Sequence, residues 1–257
     1  MTSSIDTLAG IRVALTGGTS GLGLALMDEL LARGAHVAFV ARHADRVAAV
    51  TAARQKVVGL VGDIAKKDDI YPLALQISGV LGGVDVLVNN ASSLGPVPLA
   101  PLADTACEDL EAALAANLLG PFRLTKALLG SLAAAARERG GAVVLNVSSD
   151  AAIEPYPAWG AYGASKAALR HMTRIWNLEL AAQRVRLLSL DPGDMDTPLH
   201  ALAVPDSDPA GLKTPAVAAR EMADAIEAAL RELRELRASG ESPSSGAHHV
   251  DVSAKAR

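Results

Sequence analysis

The stretch "IRVALTGGTSGLG" (residues 11–23) decides how the fold is read. A short, β-branched apolar run ends in a glycine-rich turn, and an apolar helical pattern follows over about 22–33. Glycines let the backbone turn sharply and approach a ligand closely. The helix behind them presents free N–H groups and the positive end of its dipole, which suits a phosphate. Glycine spacing alone is weak evidence; the order strand, loop, helix gives it weight. The bland alternative is a tight strand-to-helix turn with no ligand.

Outward from this stretch the same alternation repeats. Short apolar runs stand at 36–42, 57–63, 84–90, 142–149 and 185–191. Each is too short for a helix and apolar at both parities, as expected of strands covered on both faces. Amphipathic stretches at about 43–54, 67–79, 107–138 and 161–182 separate them, and 217–237 carries Met222, Ile226, Leu230 and Leu233 at helical spacing. The pattern predicts an α/β fold: a doubly wound, Rossmann-type parallel sheet in a single domain over residues 1–238. Residues 239–257 turn polar and rich in Ser and Gly. They read as a mobile tail in which "HHVDV" (248–252) could add a short strand.

Half of the 257 residues are apolar, enough for a sizeable core, and the net charge is −4. That balance predicts no nucleic-acid partner. The single cysteine, Cys107, excludes a disulfide framework and, with no partner nearby, reads as a buried or inert thiol. No signal peptide or membrane-spanning run is visible, so a cytoplasmic protein is expected. His248 and His249 do not converge on a metal easily, and no metal site is predicted.

A second motif, "GAYGASKAAL" (160–169), sets Tyr162 and Lys166 four apart on a helix, with only Gly163, Ala164 and Ser165 between them. Such residues are surface neighbours. An ammonium there favours the ionised phenol, and the small residues leave room for a cofactor. Taken alone, the pair is an ordinary amphipathic one. Together with the spacing Gly17-x-x-x-Gly21-x-Gly23, it makes residues 8 to about 230 resemble the short-chain dehydrogenase/reductases, which carry T-G-x-x-x-G-x-G near the N-terminus and Y-x-x-x-K in the second half.

The resemblance implies roles. Gly17, Thr19, Ser20, Gly21, Leu22 and Gly23 would cradle the cofactor, and Asp63 and Ile64 would meet its adenine. "NNAS" (89–92) stands for the family's N-N-A-G; it keeps Asn90 and Ala91 for the cofactor and puts Ser92 in place of a glycine. Pro192, Gly193 and Thr197, in "DPGDMDT" (191–197), would contact the nicotinamide. Tyr162 would exchange a proton with the substrate oxygen, and Ser149, thirteen residues earlier, would hydrogen-bond that oxygen. Lys166 would hold the ribose and tune Tyr162; Asn117 would hold a water linking Lys166 to solvent. The second strand ends in Ala41-Arg42 rather than in the acid that binds a ribose 2′-hydroxyl, so NADP(H) is expected over NAD(H).

The expected reaction interconverts a small-molecule ketone or aldehyde with an alcohol. The rivals are a silent cofactor-binding regulator, whose mark would be a broken Tyr or Lys, and a sugar-nucleotide enzyme, whose chain is usually longer. Asp150 and Glu154 read as a polar rim of the pocket; Trp159 either lines it or packs. The C-terminal segment lacks the family's D-G-G-like strand, so a homodimer is expected rather than a tetramer.

Overall fold

The computed structural model describes residues 7–241. The chain runs β1 (Arg12–Thr16), α1 (Gly21–Ala32), β2 (His36–Ala41), α2 (Ala44–Ala52), β3 (Val57–Val61), α3 (Lys67–Leu81) and β4 (Val86–Asn89). It continues through α4 (Cys107–Leu114), α5 (Gly120–Arg139), β5 (Ala142–Val147), α6 (Gly160–Glu179), β6 (Val185–Leu190), α7 (Pro198–Ala203) and α8 (Pro215–Ala238). All six strands are parallel, in the order β3-β2-β1-β4-β5-β6. This is the doubly wound, Rossmann-like sheet that the alternating pattern predicts. The "HHVDV" strand and most of the expected tail lie outside the described residues.

The two parities of the strands build two cores. Val13, Leu15, Val37, Phe39, Val143 and Leu145 face α1 and α8, where Leu26, Met27 and Leu30 meet Met222, Ile226, Leu230 and Leu233. Ala14, Val40, Leu87 and Val144 face the other way, against Ile70, Leu73 and Ile77 of α3 and Leu124, Leu128 and Leu132 of α5. Burying each large aliphatic side chain contributes about 1.5–3 kcal/mol, so covering both faces dominates the stability. β3 departs from the expectation. It is an edge strand under the short α2, which buries only Val47, and Val58 and Val61 stay exposed.

Three further differences concern helices and one thiol. The single helix expected over 107–138 is interrupted by a π-helical turn, Ala115–Leu119, that turns Asn117 into the interior. The helix expected over 161–182 ends at Glu179 and passes into a 3₁₀ turn. No helix was expected over Pro198–Ala203, yet it is helical, because Pro is well suited to the first helical position and Thr197 caps it. Cys107 is exposed, at the first position of α4.

The strand starts are tied together by Asp85. Its carboxylate accepts from Arg12 Nε and Nη2, both at 2.9 Å, and from the Arg12 backbone N–H at 2.8 Å. Arg139, at the end of α5, stands 3.5 Å away. Asp85 is buried, so removing it leaves Arg12 without its forked partner. Asp85→Ala is expected to lower unfolding free energy by about 3–5 kcal/mol in urea titration. The contact lies at the end of the sheet opposite the glycine loop, so ligand binding should survive in the folded fraction.

Candidate active site

The carboxyl ends of the strands open into one cleft of about 960 Å³, with β1 and β4 at its centre. The chain reverses its strand order there, which is where ligands of open α/β sheets bind. Every candidate catalytic or cofactor-binding residue named from the sequence lines this cleft except Asn117.

Gly17 and Gly23 sit where no side chain fits. Gly17 has φ +76°, and a Cβ there would lie 2.9 Å from Ala91 Cα. A Cβ on Gly23 would collide with the Gly17 carbonyl. Asn90 braces the loop by donating its amide to the carbonyls of Thr16 at 2.9 Å and Gly17 at 3.1 Å. The Thr16 hydroxyl accepts from the N–H groups of Asn90 and Ala91. Ser20 makes no side-chain cap on α1, so the first-turn N–H groups remain for an anion. Thr197 caps α7 and also packs 3.3 Å from the Cβ position of Gly21, closing the loop from above. These residues fit a dinucleotide pyrophosphate.

At the far end of the cleft Arg42 and His43 follow β2, and Arg46 lies one turn on in α2. Among the described residues no carboxylate pairs with any of the three. Arg46 was not singled out from the sequence; its spacing of four from Arg42 was the available signal. Asp63 accepts from the Ala65 N–H through Oδ1 at 3.0 Å and donates its own N–H to Asp69, which orders the turn after β3. Ile64 is buried beside it.

α6 carries Tyr162 and Lys166 into the cleft, and both are buried. Lys166 Nζ lies 5.5 Å from the centre of the Tyr162 ring and donates to the Val147 carbonyl at 2.8 Å. Burial pulls the ammonium down to about 8, against the opposing influence of Asp191. Burial also pushes the Tyr162 phenol up to about 12, with the hydroxyls of Ser149 and Ser92 acting the other way. Lys166 was expected to bring the phenol below its ordinary value. Desolvation by burial is the largest influence on the phenol, and it raises its pKa.

Ser149 caps the 3₁₀ turn after β5. Its hydroxyl donates to Asp150 at 3.1 Å and accepts from the Ala151 N–H at 3.2 Å. Asp150 also accepts from the Tyr156 hydroxyl at 2.8 Å. Trp159 both lines the cleft and packs, edge to face, 5.7 Å from Tyr162. Asp150 lines the cleft as expected of a rim, whereas Glu154 does not. Pro192 accepts from Lys213 at 3.1 Å, and Gly193, at φ +74°, donates to Asp191 at 2.9 Å. Asp191 itself is held above the usual carboxylate range, mainly by burial. It was quoted in the sequence motif but not singled out.

Asn117 stands behind the cleft rather than in it. Its amide donates to the Ser93 carbonyl at 2.7 Å and to Ser165 Oγ at 2.8 Å, while its oxygen accepts from Ser93 N–H and Ser92 Oγ. All of its side-chain hydrogen-bonding capacity goes to protein, so the expected water would have to be held by something other than that side chain.

Lys166 costs the fold stability while it is charged, since its pKa falls from 10.5 to about 8 on burial. At 1.36 kcal/mol per unit that cost is roughly 3 kcal/mol. It is fully present below pH 8 and fades as pH rises to 10.5, where the unfolded chain also loses the proton. Lys166→Met is therefore expected to raise the Tm of the ligand-free protein at pH 6–7, with the gain shrinking toward pH 10.

Comparison with known proteins agrees with this geometry. The short chain dehydrogenase family matches residues 12–208. Dehydrogenase/reductase SDR family member 4 of Oryctolagus cuniculus is 36% identical over 196 residues, covering 75% of this chain and 73% of that one. Glucose 1-dehydrogenase of Gluconobacter oxydans is 33% identical over 235 residues, covering 86% and 85%. Among solved structures, a 3-ketoacyl-(acyl-carrier-protein) reductase from Brucella melitensis complexed with NADH superposes with a TM-score of 0.79 at 26% identity, covering 85% of this chain and 91% of that one. A short-chain dehydrogenase from Shigella flexneri complexed with NADP gives 0.78 at 25%, covering 89% and 95%. A glycine loop at the sheet's switch point, a buried Tyr–Lys pair on one helix and a family match over most of the chain make this protein a short-chain dehydrogenase/reductase, a nicotinamide-dependent oxidoreductase.

Proposed function

We propose that the protein interconverts a small carbonyl compound and its alcohol, with NADP(H) preferred over NAD(H). The observation that carries the reading is the convergence of Ser149, Tyr162 and Lys166 in the cleft that begins at the glycine loop. A bound nicotinamide cofactor would supply or accept the hydride.

The chain's own residues would do the rest. The first turn of α1 would hold the pyrophosphate, with Gly17, Gly21 and Gly23 admitting it. Asn90 would act by bracing that loop and Ala91 by its backbone, while Asp63 and Ile64 would border the adenine. In reduction, the Tyr162 hydroxyl would donate its proton to the substrate oxygen. A phenol whose proton is held up to about 12 is fully loaded for that role at neutral pH. Ser149 Oγ would donate to the same oxygen and orient it. Lys166, poised near 8, would bind the cofactor's ribose, whose contact would replace or share its bond to Val147. Pro192, Gly193 and Thr197 would border the nicotinamide. Asn117 would act indirectly, by fixing the segment at Ser92 and Ser93.

Two finer points belong to the same reading. We infer a homodimer through α5 and α6, supported by the exposed Leu119, Ile175 and Leu178 beside the stacked Phe122–Trp176 pair. A cytoplasmic location accords with the single free cysteine. The silent-regulator alternative gains no support, since neither Tyr162 nor Lys166 is replaced.

A panel of ketones and aldehydes assayed with NADPH and NADH tests the function. Tyr162→Phe is expected to lower kcat about 10²–10⁴-fold while cofactor affinity stays near wild type, because only the phenolic hydroxyl is lost. Full activity in the folded variant would remove Tyr162 from the mechanism. For the cofactor, Ala41→Asp/Arg42→Ala is expected to move the NADPH/NADH ratio of kcat/KM toward NADH by about 10–100-fold, through one lost charge-assisted contact and one new repulsion. A wild type that prefers NADH would refute the preference, and so would an unmoved ratio.

A further inference from the structure

We propose that Asp150 is a specificity-determining residue that selects carbonyl substrates bearing an ammonium group close to the carbonyl: the cation takes the Asp150 carboxylate, and Ser149 gives its released hydrogen to the carbonyl oxygen. The proposal deepens the reading of the cleft as a carbonyl–alcohol site and rests on it.

Ser149 has a single hydrogen to give. A serine hydroxyl carries one hydrogen and two lone pairs. The hydrogen goes to Asp150 Oδ1 at 3.1 Å, a carboxylate oxygen that accepts. One lone pair takes the Ala151 N–H at 3.2 Å, a group that can only donate. What remains for the cleft is one lone pair. A carbonyl oxygen is itself an acceptor, so it finds no hydrogen on Ser149 until Asp150 lets that hydrogen go. The Ser149–Asp150 bond is longer than the roughly 2.5–2.7 Å usual between a hydroxyl and a carboxylate, so the hydrogen is open to exchange.

Asp150 is half-buried in the cleft wall with Ser149, Tyr156 and Trp159. Its Oδ2 accepts from the Tyr156 hydroxyl at 2.8 Å. Both side-chain partners are neutral hydroxyls, and among the described residues no ammonium or guanidinium pairs with this carboxylate. The cationic side chains that line the cleft are placed elsewhere: Lys166 donates to Val147, and Arg42 and Arg46 stand at the opposite end. Asp150 therefore brings a negative charge, uncompensated by the protein, to within one hydroxyl of the place that the substrate oxygen would take. Two aromatic rings extend the same wall. Tyr156 and Trp159 meet edge to face at 6.4 Å, and Trp159 meets Tyr162 at 5.7 Å. A carboxylate beside aromatic rings suits an alkylammonium, whose charge pairs with the carboxylate and whose methyl groups lie against the rings. An anionic group on the substrate would be repelled at the same place.

The spacing limits where the cation can stand. Ser149 Oγ is 3.1 Å from Asp150 Oδ1, and an ordinary O–H···O bond would set it about 2.8 Å from the substrate oxygen. At most about 6 Å then separates that oxygen from Oδ1, a gap that an ammonium two methylene groups from the carbonyl can span. When the ammonium donates to Oδ1, the Ser149 hydrogen turns to the carbonyl oxygen. Ser149 keeps the Ala151 N–H and Asp150 keeps the Tyr156 hydroxyl. No covalent bond changes in this exchange; one donor replaces another on the carboxylate. A substrate without the cation has to take the hydrogen from the carboxylate and offers it nothing in return.

The test uses four methyl ketones that differ in the group two methylenes from the carbonyl: dimethylammonium, isopropyl, hydroxymethyl or carboxylate. Each is assayed with NADPH at pH 7. Wild-type kcat/KM is expected to be about tenfold or more higher for the dimethylammonium ketone than for the isopropyl one, and about tenfold lower for the carboxylate. Asp150→Asn keeps the shape and removes the charge, so it should bring these three values within about threefold of one another. A merely structural defect would lower all of them alike and leave their ratios unchanged. Tyr156→Phe keeps the charge and should keep the preference. A readout without turnover is calorimetric titration of the same ketones into the protein with oxidised cofactor, where the same order, and its loss in Asp150→Asn, should reappear. A dimethylammonium ketone no better than the isopropyl one would overturn the proposal, as would ratios that Asp150→Asn leaves in place. Preference for the hydroxymethyl ketone over the dimethylammonium one would overturn it too, by assigning Asp150 to a neutral donor. Loss of the preference in Tyr156→Phe would move the selectivity to the Tyr156 hydroxyl with the same result, and absence of both turnover and binding of the dimethylammonium ketone would also refute it. If no ketone is reduced yet the calorimetric order appears and depends on Asp150, the proposed function fails while cation recognition by Asp150 stands.

Discussion

The crossing from β3 back past β2 and β1 to β4 is the constraint on which the rest of the molecule depends. It places β1 between β2 on one side and β4 on the other, so the connections that leave these strands diverge and a crevice opens at their carboxyl ends. Into that crevice the glycine loop brings uncapped N–H groups, the end of β2 brings free cationic side chains, and β5 with α6 brings the Tyr–Lys pair. Helices cover both faces of the sheet's central strands, so the crevice is the opening through which polar chemistry reaches their ends.

Removal from water then sets the chemistry of the pair. Burial disfavours the charged form of each, so it pushes the Tyr162 phenol up to about 12 and pulls the Lys166 ammonium down to about 8. A neutral phenol and a readily discharged ammonium form a poised arrangement. The cost of keeping Lys166 there falls on stability, as is common where an active site needs a buried charge.

Some of the site was legible because its chemistry needs particular residue types at particular separations. Gly17 and Gly23 are readable because there is no room for a Cβ there, Gly21 because its φ is +52°, and Tyr162 and Lys166 because a helix repeats every 3.6 residues. Arg46, Asp191 and the Ser92–Asn117 contact were not readable in that way. Arg46 carried only its spacing from Arg42, whereas Asn117 reaches Ser93 and Ser165 across 24 and 48 residues. The direction of the Tyr162 shift was also misjudged, since a one-dimensional pattern shows the nearby ammonium but not the depth of burial.

The sequence by itself determined the alternation of short apolar runs and amphipathic stretches. It therefore determined the parallel sheet, the glycine turn and the order of the motifs, because these rest on local backbone preference and on periodicity. Tertiary structure alone decided three things. It put a π-helical turn at Ala115–Leu119, so that Asn117 faces inward. It left β3 half-uncovered at the sheet edge under a helix too short to shield it. It brought Ser92, just past the end of a strand, against Asn117. None of these follows from local propensity, since each depends on which surfaces remain once both faces of the sheet have been packed.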